Sequence, residues 1–386
     1  MSEKMTHINH EILSWASKIA GFSVQDVYGK FTNYPLDEWE KGTDFPTYSQ
    51  LSKLMDFYHK PIAVAFFPSP PEIKDLISSF RTLTKELYGI FTPRLRQLLD
   101  NARAYQLSLY ELNGSVNANI EHFHKIQTSH VPFENIPEVL RSALEAPLTE
   151  QFKLTSSEIA FDYWREKLLS IGVYVFMDAF TIDDISGFCL EDSKFPVIYI
   201  NNSTSNYRQV FTLFHELCHL LTGIGGITFV NDALLERLLI NKDLQLEKFC
   251  NRFAAEFLIP EKDFRLRAPS VRPSIEIIKT LSNKYNVSRE VVARKYLDLA
   301  LLTPTEYSTL VETFNQEYLN YRKKQSEKPG GNFYSTHSKY MGKAFIELVF
   351  SNYFSGKIDI TQTSDFLNMQ YSSVQKLAAR SGWGSL

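Results

Sequence analysis

Cysteine is scarce in this 386-residue chain. Three occur, Cys189, Cys218 and Cys250, and no two form a CxxC pair. So sparse and odd a set excludes a disulfide framework or a cysteine-rich zinc module, and it fits a reducing cytosol. Long apolar runs are missing as well. Nothing approaches the roughly 18–20 residues that a membrane helix needs, and the opening MSEKMTHINHEIL lacks the basic-then-apolar order of a signal peptide. The expectation is a cytoplasmic protein with no membrane segment. Charge of one sign is also lacking: 41 Lys and Arg stand against 44 Asp and Glu, for a net −3. Any nucleic-acid contact must therefore be local. Internal repeats and low-complexity tracts are absent too. What remains is 44% hydrophobic and 14% aromatic, ample for packed cores and incompatible with wholesale disorder. The length suggests two to four domains.

Along the chain, residues 8–60 read as short helices. Ser23 is placed to cap VQDVYGKF, a break falls at Asn33–Pro35, and prolines bound PTYSQLSKLMDFYHKP. The run PSPPE (68–72) marks a boundary, and 73–130 is helical in pattern. Near residue 155 the pattern changes. SSEIAFDYWREKLLSIG predicts a helix, and three β-rich runs follow, VYVFMDAF, ISGFCL and PVIYINN. A helix starts near Ser203 and ends in the glycines of TGIGGI (222–227). A second strong helix, LQLEKFCNRFAAEFLIP, stops at Pro260. Helical periodicity returns over 273–320, RKKQSEKPGGN (322–332) predicts a linker, and 335–386 a last helical unit. The expected fold class is α+β, predominantly α-helical, with a small β-sheet and flanking helical domains. The expected boundaries are 1–70, 71–140, 141–321 and 333–386.

The chemistry concentrates in FTLFHELCHLL, residues 211–221. Positions i and i+4 share one helix face, so His215 and His219 can hold one ion. Zinc favours imidazole nitrogen, and a catalytic zinc keeps three protein ligands and one open position. Glu216 is then the general base, the mechanical content of H-E-x-x-H. For the third ligand the next helix offers Glu247, with Glu236 and Glu256 as rivals. Glu256 lies nine positions beyond Glu247, half a turn around the helix, so the two cannot both face the metal. The apolar company of Phe249, Cys250 and Phe253 favours Glu247. The pair His122/His124, two apart, cannot share a helix face, and with His130 it reads as surface polarity.

FTLFHELCHLL followed by ExxCNRFAAEFLIP resembles the ImmA/IrrE family of zinc metallopeptidases. The resemblance spans about 155–320 and implies a zincin-like core, with Zn2+ held by His215, His219 and Glu247 and with Glu216 as base. Cys218 stands where that family commonly has glycine, and Cys250 where it has alanine. The implied substrate is a protein, a DNA-binding repressor or regulator cleaved in a stress, prophage or mobile-element response. The alternative reading is a transcription regulator or antitoxin-like protein whose peptidase fold acts as a sensor with little cleavage.

The segment LDEWEKGTDFPTYSQLSKLMDFYHKPI resembles the end of an XRE-type helix-turn-helix domain, which implies DNA contact through a recognition helix. Against that, residues 1–70 carry six Lys against eight Asp and Glu, and TNYPLDEW, at the recognition position, is short and contains Pro35. The C-terminal GKIDITQTSDFLNMQYSSVQKLAAR has a helix-turn-helix cadence too, with a turn near Asn368–Gln370 and a modest basic excess. Before it, Tyr334, His337, Tyr340 and Lys343 form a cluster suited to a phosphate or to an exposed edge.

Overall fold

The computed structural model describes residues 3–71, 92–127, 131–182, 185–223, 227–229, 241–326 and 333–383. Residues 1–101 and 102–386 form two compact units.

The first unit has four short helices, α1 (His10–Ala20), α2 (Val24–Lys30), α3 (Leu36–Glu40) and α4 (Tyr48–Phe57), and side chains cap all but α3. Ser23 and Thr47 each close a capping box, with Asp26 and Gln50 reaching back. Gly21 ends α1 at φ 80°, a left-handed turn that a side chain would resist. Leu13, Ala16, Val27, Trp39, Leu51 and Met55 form the core. Helix α3 has only five residues and no side-chain cap. It buries Leu36 and Trp39, and its outer face shows Asp37 and Glu38. The stretch expected to recognise DNA thus presents carboxylates. Helix α5 (Pro93–Leu112) follows, its first proline suited to a helix start. Of the stretch read as helical, residues 73–91 lie outside the described residues.

The second unit begins in the later turns of α5 and continues with α6 (Ile120–Gln127), α7 (Ile136–Ala143), α8 (Leu148–Gln151) and α9 (Ser157–Leu169). Then come β1 (Tyr174–Asp178), β2 (Ile185–Leu190), β3 (Val197–Asn201), α10 (Asn206–Thr222), β4 (Ile227–Phe229) and α11 (Asn241–Leu258). The chain ends with α12 (Glu261–Arg267), α13 (Ile275–Tyr285), α14 (Arg289–Asp298), α15 (Pro304–Ser326), α16 (Phe333–Met341), α17 (Lys343–Phe354), α18 (Ile360–Phe366) and α19 (Tyr371–Arg380). This is the predominantly helical α+β fold expected. Two details differ. A fourth strand, β4, follows the glycines, where three strands were expected. Helix α15 also runs through Arg322–Ser326, so the charged half of the expected linker is helical, and 327–332 lies outside the described residues.

The sheet order is β1-β3-β2-β4, with β1 parallel to β3 and the other pairings antiparallel. All residues of β2 and β3 are buried: α10 lies across one face, and aromatic rings including Tyr105, Phe176, Phe188 and Tyr199 pack together within the unit. At the crossing Gly187 is required: a Cβ there would sit 2.7 Å from Thr212 Cγ2 and 3.0 Å from Tyr199 O. On its other sides α10 meets α9 and α11. Phe214 stacks on Phe257 at 4.1 Å, and Trp164 packs edge-on against both rings.

Buried polar side chains join distant parts of this unit. Gln151 donates to Leu258 O and Tyr285 O, tying α8 to the ends of α11 and α13. At the sheet margin, Tyr174 N donates to Pro196 O and Asp178 O accepts from Asn202 N. The backbone of Val175 therefore points away from β3, and its carbonyl accepts from Arg165. The same guanidinium donates to Lys339 O and Tyr340 O, fastening α16 beside β1. No helix of the described residues is long and apolar enough to cross a membrane.

Candidate metal centre

Ser205 caps α10 by accepting from Arg208 N, and Gly223 ends the helix at φ 67°. Within these limits His215, Glu216 and His219 are all fully buried. Helix α11 faces them with Glu247, which is 2% exposed. The two imidazole Nε2 atoms lie 3.1 Å apart. Glu247 spans them, with Oε2 at 3.0 Å from His215 Nε2 and Oε1 at 3.1 Å from His219 Nε2. The structure therefore brings together the three side chains singled out as ligands, with Glu216 one position along the helix. Glu256 is elsewhere. Its carboxylate accepts from Lys295 Nζ at 2.6 Å and from Glu261 N at 2.9 Å. Glu236, the other rival, lies outside the described residues.

Burial alone would raise the carboxyl of Glu247, but His219 and His215 beside it reverse that and hold it well below its usual range. For His219 burial works toward neutrality, while Cys250 and Glu247 outweigh it and raise the imidazole. Burial, with a hydrogen bond to Cys218, pushes the Cys250 thiol up. The cluster thus demands a positive charge at its centre. Two lone-pair nitrogens and a carboxylate converge in a buried site, and a shared proton or a metal ion reconciles them.

The donor set fits a divalent metal. Two imidazoles and a carboxylate are ligands that zinc accepts, and bonds of about 2.0–2.1 Å place tetrahedral donors about 3.3–3.4 Å apart. The observed 3.0–3.1 Å spacings lie close to that. The second nitrogen of His215 is also provided for. Asn251 Oδ1 lies 2.9 Å from Nδ1, so Nδ1 carries the proton and Nε2 offers its lone pair. In the sequence, the one signal for Asn251 is its place four residues after Glu247, on the same helix face. A sulfur also lies close: Cys250 joins His215 and His219 in a group whose potential ligand atoms are all within 4.8 Å of one another.

The other singled-out residues have structural partners. His124 Nε2 hydrogen-bonds Ser193 O at 2.8 Å, His122 is exposed, and His130 lies outside the described residues. In the C-terminal cluster, His337 Nε2 donates to Leu367 O, and Arg380 lies over the ring of Tyr334. Tyr340 OH accepts from Asn202 Nδ2, and Lys343 pairs with Glu347. His337 and Tyr334 thus pack α16 against the end of α18 and against α19, whereas Lys343 pairs within α17. Helices α18 and α19 are joined by a short turn with Asn368 at φ 46°.

Residues 169–296, about a third of the chain, match the family model described as IrrE N-terminal-like domain, Peptidase_M78. A comparison with curated proteins found no match. Among solved structures, a Mycobacterium tuberculosis transcriptional regulator aligns at 19% identity and a TM-score of 0.28. The alignment covers 42% of this chain and 51% of that one, so this chain spans about half the regulator's length.

Proposed function

Starting from an IrrE N-terminal-like, metallopeptidase-like domain at residues 169–296, we propose that the protein is a zinc-dependent endopeptidase of the cytoplasm that cleaves a specific protein. The observation that carries this reading is the convergence of His215, His219 and Glu247 beside Glu216, all buried, between α10 and α11. His215, His219 and Glu247 hold the metal, and Asn251 orients His215. Zinc bound there supplies Lewis acidity toward the scissile carbonyl and toward water. Glu216 takes the proton from the attacking water and returns it to the leaving amine. A binding module needs a metal clamp but has no use for Glu216. That asymmetry favours hydrolysis over sensing alone.

The proposed substrate is a repressor-type regulator, which follows from the family resemblance. Contact with DNA falls to α18 and α19 rather than to α3. The outer face of α19 shows Lys376 and Arg380, whereas that of α3 shows only carboxylates near its start.

The test uses Glu216→Gln in the full chain. The variant keeps stoichiometric zinc, because the amide is nearly isosteric and outside the ligand set. Turnover falls by at least about 10²–10⁴-fold, the usual worth of a general base. Cleavage is read as new protein N-termini appearing in a host lysate incubated with parent or variant. New termini that persist undiminished with Glu216→Gln would refute the assigned base. Zinc-loaded parent protein that generates none, while reporter output from its own locus still depends on it, would establish the regulator reading instead.

A further inference from the structure

We propose that Cys250 is a fourth protein ligand, so that a thiolate closes the metal site until it is displaced. The inference rests on the metallopeptidase reading above and concerns how that site is kept silent.

Each of the two facing helices offers a pair of donors on one face. On α10 they are His215 and His219, four apart. On α11 they are Glu247 and Cys250, three apart, a spacing that can direct two side chains to one ion. The sulfur of Cys250 and one ring nitrogen of each histidine lie within 4.8 Å of one another, and all three residues are buried. His219 lies beside the thiol of Cys250 and Cys218 is its other neighbour. Glu247 meets both histidines from the same helix. Sulfur, imidazole and carboxylate are all zinc donors, and the first is the softest and strongest-held of the three. Cys218, the residue before His219, is placed to donate its S–H to the coordinated sulfur, as outer partners of metal ligands commonly do.

Four protein donors and no open position describe structural zinc, and three with one open position describe catalytic zinc. With Cys250 attached, the centre holds its metal but leaves no place for the water that Glu216 would deprotonate. Forming the metal–sulfur bond breaks the S–H bond and releases its proton to solvent. Displacing the sulfur takes one proton back and frees one coordination position. Peptidase turnover therefore begins with the departure of Cys250, and Cys250→Ala is expected to have the higher basal rate.

The experiment replaces zinc with Co2+ in the full-length protein and records its electronic spectrum. The parent and Cys218→Ser should show visible ligand-field bands together with a near-ultraviolet thiolate-to-cobalt charge-transfer band. Cys250→Ser should keep the first and lose the second. X-ray absorption on the zinc-loaded parent checks the same bond without a variant, as a sulfur shell at about 2.3 Å beside nitrogen and oxygen at about 2.0–2.1 Å. Ligand-field bands with no sulfur signal in the parent would overturn the proposal and leave the three-ligand centre standing. A charge-transfer band surviving in Cys250→Ser would overturn it by assigning the sulfur elsewhere. Failure of the parent to bind either metal at one equivalent would overturn both this inference and the reading on which it rests.

Discussion

Replacing Asn251 by alanine probes the centre without touching a ligand. The side chain accepts from His215 Nδ1 at 2.9 Å, and that bond selects the tautomer whose Nε2 lone pair faces the site. Without it the metal-free protein can adapt, because the proton moves to Nε2 and points at Glu247, 3.0 Å away. The metal-loaded protein cannot adapt. Its Nε2 is occupied, so Nδ1–H is left as a buried donor without an acceptor, at a cost of about 1–3 kcal/mol. The cost thus falls mainly on the loaded form and appears as lost affinity. Loss of such a partner typically weakens metal binding about 10–100-fold, or about 1.4–2.7 kcal/mol. Competition against a chromophoric chelator measures it, and Asn251→Asp should restore or exceed the parental affinity. The thermal midpoint of the metal-free protein should move less than that of the loaded one. An unchanged zinc affinity in Asn251→Ala, with the fold intact, would refute the argument that this hydrogen bond sets the ligand's orientation.

Glu247→Ala should abolish stoichiometric zinc. Glu256→Ala should retain it by elemental analysis, yet lower stability in urea, because Lys295, 8% exposed, loses the partner at 2.6 Å. Gly342→Ala should destabilise the protein by about 1–3 kcal/mol in thermal unfolding, since Gly342 has φ 82° and a Cβ there would overlap the Arg165 guanidinium. A parental midpoint would show that Arg165 does not hold α16. Burial alone would raise the carboxyl of Asp263, but hydrogen bonds from Arg267 and Tyr285 outweigh it and lower the pKa from its ordinary 3.8. Its stabilisation is therefore present above 3.8 and lost as pH falls through the lower folded value. Asp263→Asn should flatten that acid limb of the stability profile, and an unaltered limb would count against it.

The centre was legible because its chemistry is local in sequence. His215, Glu216 and His219 fall within five residues of a helix whose caps and periodicity are plain, and Glu247 follows on the next. Less legible are residues whose partners lie far away along the chain. Arg165, Gln151 and Asn251 look like ordinary polar positions, and their roles exist only once the elements they join are in place. Strand β4 was missed because three residues, Ile-Thr-Phe, carry no alternation that rises above the preceding glycines. The short α3 was legible for the opposite reason. Pro35 and the carboxylates Asp37, Glu38 and Glu40 are plain in its composition, and the buried Trp39 shows which side packs inward.

The clasp of Arg165 on α16 has a consequence in time. During synthesis β1, β2 and β3 leave the ribosome by Asn201, but the segment that lies beside the margin of β1 ends at Met341. About 140 residues separate them, which at about 5–20 residues per second is roughly 7–28 s. For that interval the outward-facing backbone of β1 has Arg165 as its nearest partner and nothing from α16. Nascent chains held between these lengths present an unguarded strand to one another. Slowing translation downstream of Asn201 should therefore increase co-translational aggregation, whereas slowing it after Met341 should not.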